Sequence, residues 1–200
     1  MIVIEIKEPI DYETKVDSSS DLVELAKNGV ADAILELAIK WKLRIFEKVG
    51  EMVRSKEIQM ATAEYLLSHI PESSEANRQL AAIYHYHYND NEKALKFFMK
   101  AVDQGNIHAT FLMAGDYRPH PGSKRLVKPD LEISKHYYKK CLELDSDRKD
   151  LKSLAAIELS KMLHGEEKIK YIKLGIELQP NPKIKEKIRK AFSSKIGIEF

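Results

Sequence analysis

One spaced pattern of alanines constrains this chain more than anything else in it. A-x3-[L/M]-A-x2-[W/Y] occurs at Ala33, Leu37, Ala38, Trp41, again at Ala76, Leu80, Ala81, Tyr84, and again at Ala109, Met113, Ala114, Tyr117. A looser copy reads Leu151, Ala155, Ala156, Leu159, and the copies are offset by 43, 33 and 42 residues. Positions i, i+4, i+5 and i+8 share one broad face of an α-helix. Alanine in the middle of that face lets a second helix approach to about 8 Å between axes. The terminal aromatic then fills the wedge that opens where the helices diverge. A helical pair of this kind cannot bury its face alone, so a recurrence of this length predicts stacked pairs.

Partner segments lie between the copies. "KALKFFMKAV" carries Ala94, Phe97, Phe98 and Ala101, and "ISKHYYKKCL" carries Ser134, Tyr137, Tyr138 and Cys141. "EKIKYIKLGI" carries Lys168, Tyr171, Ile172 and Gly175, and "TAEYLLSHI" aligns through Thr62, Tyr65, Leu66 and His69. Each supplies a bulky pair and, three residues on, a position that is small in three of the four. Leu, Ala, Lys and Glu dominate from residue 21 onward, as helices require.

These residues resemble the Sel1-like repeats, relatives of the tetratricopeptide repeats. The resemblance is strongest over 76–142, where "KAVDQGNIHATFLMAGDY" is similar to the family's junction of a helix ending at glycine with a helix opening on alanines. "VKPDLEISKHYYKKC" resembles the lead into a following second helix, and "AKNGVADAILELAIKW" repeats the junction near the start. Alanine replaces the family's usual glycine at 38, 81 and 114, and the fourth copy lacks its aromatic. The resemblance implies an all-α chain: a right-handed αα-solenoid of about four Sel1/TPR-like hairpins over 21–180, with a C-terminal capping helix over 181–200. Residues 1–20 read as an extended N-terminal segment closed by "DSSSD", with Ser20 as a helix N-cap. Residues 42–57 read as a long first loop of helical character.

Composition narrows the function classes. The hydrophobic share of 44% suffices for a core, and the net charge of +2 gives no overall nucleic-acid footprint. The single Cys141 cannot form an internal disulfide, which fits a reducing compartment. "MIVIEIKEP" is too charged for a secretory signal and no run is long enough to span a bilayer, so a soluble cytoplasmic protein without membrane contact is expected. The ends differ in charge: residues 1–38 hold nine Asp/Glu against three Lys/Arg, and 182–200 hold six Lys/Arg against two Asp/Glu. In the last segment Ile184, Ile188, Phe192 and Ile196 follow four-residue steps, which suits a helix laid over the end of an array.

"YHYHYND" at 84–90 has the look of a metal site. On a helix, however, His85 and His87 diverge by about 200°, whereas a helical metal pair needs i, i+3 or i+4 spacing. Tyr84 is the repeat aromatic, Tyr88 falls beside it, and "NDNE" supplies a turn and an N-cap for the next helix. His85 is expected to remain exposed on the inner face. Cys141 occupies the small packing position that Ala101 fills one repeat earlier, so a buried thiol is expected. The chain has no G-x-S-x-G, phosphate loop or H-E-x-x-H, and no catalytic constellation, metal or cofactor is assigned.

What remains is recognition. First helices of stacked hairpins line the concave face, and Glu75, Arg78, His85, His108, Phe111 and Arg118 are its candidate partner-binding residues. Arginine with aromatic residues is the composition of an interface hot spot. Ser153 and Ile157 are also placed on this face. Lys124, Arg125 and Lys128 lie in "RPHPGSKRLVKPD", a basic loop between paired helices. The expected function is a non-enzymatic protein–protein interaction module, an adaptor or scaffold that holds a protein or peptide in a concave groove. By family analogy this includes a bacterial immunity protein that neutralises a toxin. The alternatives are a hydrolase of the repeat family and anion or nucleic-acid binding through 118–130 and the C-terminus. For nucleic acid the basic loop lacks interleaved stacking aromatics.

Overall fold

The computed structural model describes residues 20–43, 56–119 and 126–196. The extended segment read over 1–20 lies outside these except for Ser20, as do most of the 42–57 loop, and Lys124 and Arg125 of the basic loop. Among the described residues the chain is all-helical, with α1 (Ser20–Lys27), α2 (Ala31–Leu43), α3 (Lys56–Ser68), α4 (Ser74–Ile83), α5 (Asn91–Asp103), α6 (Ile107–Tyr117), α7 (Leu131–Glu143), α8 (Lys149–Ser160), α9 (Gly165–Leu178) and α10 (Pro182–Ile196). Ser20 is the first described residue and opens α1, and Lys42 belongs to the last turn of α2.

Local chemistry explains the boundaries. Side chains of Ser73, Asp90 and Asn106 accept from the amides of Ala76, Lys93 and Ala109 at 3.2, 3.0 and 2.8 Å. Asp130 accepts from Glu132 and Ile133 at 3.0 and 3.1 Å, and Asn181 from Lys183 and Ile184 at 3.0 and 3.3 Å, so α4, α5, α6, α7 and α10 start on a side-chain cap. The glycine junctions anticipated at the two repeat boundaries are present. Gly29 and Gly105 take φ of +80° and +78°, and the amides that follow, Val30 and Asn106, reach back to Leu25 and Ala101 at 3.0 and 2.9 Å. A left-handed residue that closes a helix in this way favours glycine.

The alanine pattern is the packing pattern. Ala33, Leu37, Ala38, Trp41, Ala76, Leu80, Ala81, Ala109, Met113, Ala114, Leu151, Ala155, Ala156 and Leu159 are all buried, while Tyr84 and Tyr117 are half-buried. The most extensive contacts join α2 to α3, α4 to α5, α6 to α7 and α8 to α9. Among the described residues, every substantial contact is between helices adjacent in sequence or one apart. Buried side chains accordingly form three clusters: around Leu37, Trp41 and Leu67, around Phe98, Val102 and Met113, and around Tyr138, Cys141 and Leu159.

Buried polar groups tie the helices together. Ser134 Oγ donates to the Ala114 carbonyl at 2.7 Å, and Ser153 Oγ donates to the Gly175 carbonyl at 2.6 Å. Asn77 Nδ2 donates to the Pro71 carbonyl and to Gln104 Oε1, each at 2.7 Å, which binds the turn before α4 to the turn after α5. Such bonds satisfy groups whose desolvation would otherwise oppose packing.

Two sequence alignments need correction. Along α3 and the turn after it Gln59, Met60, Thr62, Ala63, Leu67 and Ile70 are buried, while Tyr65 and His69 are exposed. The α3 pattern is therefore Ala63, Leu66, Leu67, Ile70, one residue later than the sequence alignment placed it. The misalignment came from matching Tyr65 to Phe97 and Tyr137 by type instead of by helical phase. Ser153 and Ile157 are buried against α9 and do not line an open face.

Candidate recognition face

The first helix of each pair brings a polar residue to a common row. Glu75, on the first turn of α4, is its centre. Arg78 grips it with two donors: Nε to Oε2 at 2.8 Å, and Nη2 to Oε1. Gln79 Nε2 donates to Oε1 at 2.8 Å, and Asn106 Nδ2, from the start of α6, donates to Oε2 at 3.2 Å. The spacings are helical: Arg78 and Gln79 lie three and four residues after Glu75 on one face. Lys42 of α2 donates to Gln79 Oε1 at 2.6 Å, which carries the row across to the previous pair.

The row continues through α6 to α8. His108 lies within electrostatic reach of Arg78 and Glu75 on one side and of Arg148 and Asp150 on the other. Burial lowers its pKa most, the two arginines lower it further, and the two carboxylates oppose them. Arg148 donates to both oxygens of Asp150 at 2.9 and 2.8 Å, which holds the Asp150 carboxyl down at about 2. Lys42 is likewise lowered, by burial first and then by the Arg78 charge, with Glu75 in opposition. Glu75 is lowered despite its burial, because Arg78, Gln79 and Asn106 all donate to it.

A second cluster stands further along α6. Residues 108, 111 and 118 are spaced so that one stripe of this helix and its end carries both groups. Phe111 meets Tyr138 edge to face with centroids 5.6 Å apart. Arg118 is ion-paired with Glu158 of α8, and Lys161 donates to the same carboxylate at 2.5 Å. Burial pushes the Tyr138 phenol up to about 12, Glu158 adds to this, and Arg118 opposes it.

Of the six candidate partner-binding residues, Glu75, Arg78 and His108 thus share one cluster, and Phe111 and Arg118 share the other. His85 belongs to neither. It is 3% exposed, its Nδ1 is 3.0 Å from Asn91 Oδ1, and its ring meets Tyr86 edge-on. The expectation of an exposed His85 is corrected for a reason visible in the sequence: it lies four residues after buried Ala81 and continues that stripe. Its segment, Tyr84–Tyr88, is a single π turn closed by Asn89 at φ +58°. The Tyr84 hydroxyl donates to Glu64 and its ring tilts against Tyr88 at 5.5 Å. Among the described residues no three His, Cys, Asp or Glu side chains are grouped to hold a metal ion.

Lys42, Gln79, Asn106, Arg148 and Asp150 were not singled out from sequence. The i, i+3 and i, i+4 spacing of Glu75 to Arg78 and Gln79 was the available signal. Lys128 of the basic loop is exposed. No described helix is long and apolar enough to cross a membrane. No protein-family model matches the chain, and no curated protein matches it in sequence.

Proposed function

We propose that the chain is a Sel1-like, tetratricopeptide-related αα-solenoid of about four hairpins, and that it serves in the cytoplasm as a non-enzymatic adaptor or scaffold. A protein or peptide partner lies along the face of α2, α4, α6 and α8 and is held through Glu75, Arg78, His108, Phe111 and Arg118. The observation that carries this reading is the row itself: Lys42 of α2, Glu75, Arg78 and Gln79 of α4 and Asn106 at the start of α6, separated by long stretches of sequence, meet in one hydrogen-bonded network, and His108 feels the charges both of that network and of the Arg148–Asp150 pair at the start of α8. Glu75, Arg78, His108 and Arg118 stay half-buried beside the buried alanine faces, while Phe111 packs at the edge of the core cluster around Tyr138. Arg78 and Phe111 supply a guanidinium and an aromatic side chain, residue types that interface centres favour.

The test is affinity capture from the native cell, with the wild-type chain and with Arg78→Glu plus Phe111→Ala as bait. The groove reading expects the doubly substituted chain to lose the co-purifying protein while its melting transition persists. Unchanged capture overturns it.

A further inference from the structure

We propose that Lys42 and Arg78 form a seat for a carboxylate side chain of an acidic peptide. The inference rests on the groove reading above and specifies the chemistry of the partner. It follows from counting donors and acceptors. An ionised carboxylate offers about four acceptor sites. Glu75 spends all of its sites within the chain: Oε1 on Arg78 Nη2 and Gln79 Nε2, and Oε2 on Arg78 Nε and Asn106 Nδ2. The acceptor Oε1 of Gln79 is taken by Lys42.

The donors are not exhausted. Lys42 carries three N–H groups and, among the described residues, uses one, on a neutral amide. No ion pair joins Lys42 to a carboxylate among the described residues. Arg78 commits Nε and Nη2 to Glu75 and leaves Nη1 uncommitted. Among the described residues, the sealed polar side-chain atoms without a partner are Asn77 Oδ1 and Arg189 Nε, and Arg78 Nη1 is not one of them. Two cations therefore stand beside one saturated carboxylate, and the cluster has spare donors, spare positive charge and no free carboxylate acceptor. The side chains of Arg78 and Glu75 are 14% and 33% exposed, so an anion entering here meets a half-dried site where its attraction is stronger than in open water.

A carboxylate fits better than a nucleic-acid phosphate run. The surplus is about one charge, the whole chain carries only +2, and the row has no exposed aromatic platform for bases. Arg148, the next cation along, is already neutralised by Asp150. His108 lies between the two pairs, so its protonation adds a further cation beside the seat, with Glu75 and Asp150 facing it as the opposing charges.

The test titrates purified full-length protein into a fluorescein-labelled decapeptide of alternating Glu and Ser and into the same peptide with Gln for Glu, read by fluorescence anisotropy at low salt. The Glu peptide is expected to bind the wild-type chain about tenfold more tightly than the Gln peptide, the scale of one lost charged hydrogen bond. Lys42→Gln should weaken the Glu peptide by about the same factor, leave the Gln peptide and the melting temperature unchanged, and be rescued by Lys42→Arg. Equal affinity for the two peptides, no binding of the Glu peptide, or an inert Lys42→Gln overturns the seat. So does displacement of the Glu peptide by inorganic phosphate as readily as by unlabelled Glu peptide. The peptide comparison uses the wild-type chain and stands even if Lys42→Gln does not fold. If Phe111→Ala weakens the Glu peptide and Lys42→Gln does not, the seat falls and the groove stands; if both are inert, the seat falls, and the groove falls with it only where capture of the native partner is also unchanged.

Discussion

Tyr117 stacks on Tyr137 with ring planes 8° apart and centroids 5.6 Å apart. One hairpin earlier, Tyr84 stacks on Phe97 at 5.4 Å and 5°. In these two hairpins the repeat aromatic therefore lies flat on the first member of the bulky pair in the second helix. Aromatic pairs contribute about 0.5–1.5 kcal/mol beyond their buried area. A double-mutant cycle of Tyr117→Leu and Tyr137→Leu, followed by urea unfolding, should return a coupling energy in that range. Additive effects would mean the stack only fills space.

Gly175 poses a contest between two opposite effects. An alanine in place of glycine inside a helix gains about 1 kcal/mol in propensity. A Cβ at 175 would stand 2.7 Å from Ile157 Cδ1 and 3.1 Å from the Ser153 carbonyl oxygen. Overpacking of this kind costs about 1–3 kcal/mol, and the backbone carbonyl cannot rotate away. Gly175→Ala is expected to lower the melting temperature, and Gly175→Val to lower it further. Ile157→Ala in the Gly175→Ala background should recover part of the loss. A more stable Gly175→Ala protein would contradict the close α8–α9 approach.

Much of the fold was legible because it repeats. The buried alanines at 38, 81, 114 and 155, the capping Asp90 and the glycine junctions at 29 and 105 all follow from short-range rules that a single sequence displays. The site was legible only in part. Arg78, His108 and Phe111 stand out by type and by position on first helices. Lys42 did not, because where α2 ends decides whether it faces Gln79, and that end has no glycine to mark it. The π turn at 84–88 was hidden for a related reason, since a 3.6-residue period carries no sign of one extra residue in a turn.

Cys141 is buried and packs near the Ile107 carbonyl, and burial pushes its thiol up to about 12. A raised pKa means that the folded chain holds this proton after the unfolded chain, whose thiol titrates near its ordinary 9.0, has released it. Stability from this group is full below pH 9 and declines as pH rises from about 9 toward 12. Native protein at pH 8 should resist iodoacetamide, whereas urea-unfolded protein reacts readily. Fast alkylation of the native chain, or denaturant midpoints that rise above pH 9, would contradict the buried thiol.

His85 is a core residue here and not a ligand. His85→Ala leaves Asn91 without its partner and opens a void, which should cost roughly 1–3 kcal/mol in a urea melt. Binding to any partner should persist wherever the substituted protein remains folded. Stability equal to wild type would argue that the side chain points to solvent.

The recognition face is tested most directly by hydrogen exchange on the complex captured from the native cell. The account predicts slowed exchange in α4 and α6, over residues 74–83 and 107–117, with α5, α7 and α9 unchanged. Protection confined to α10, or to the second helices α5, α7 and α9, would contradict it.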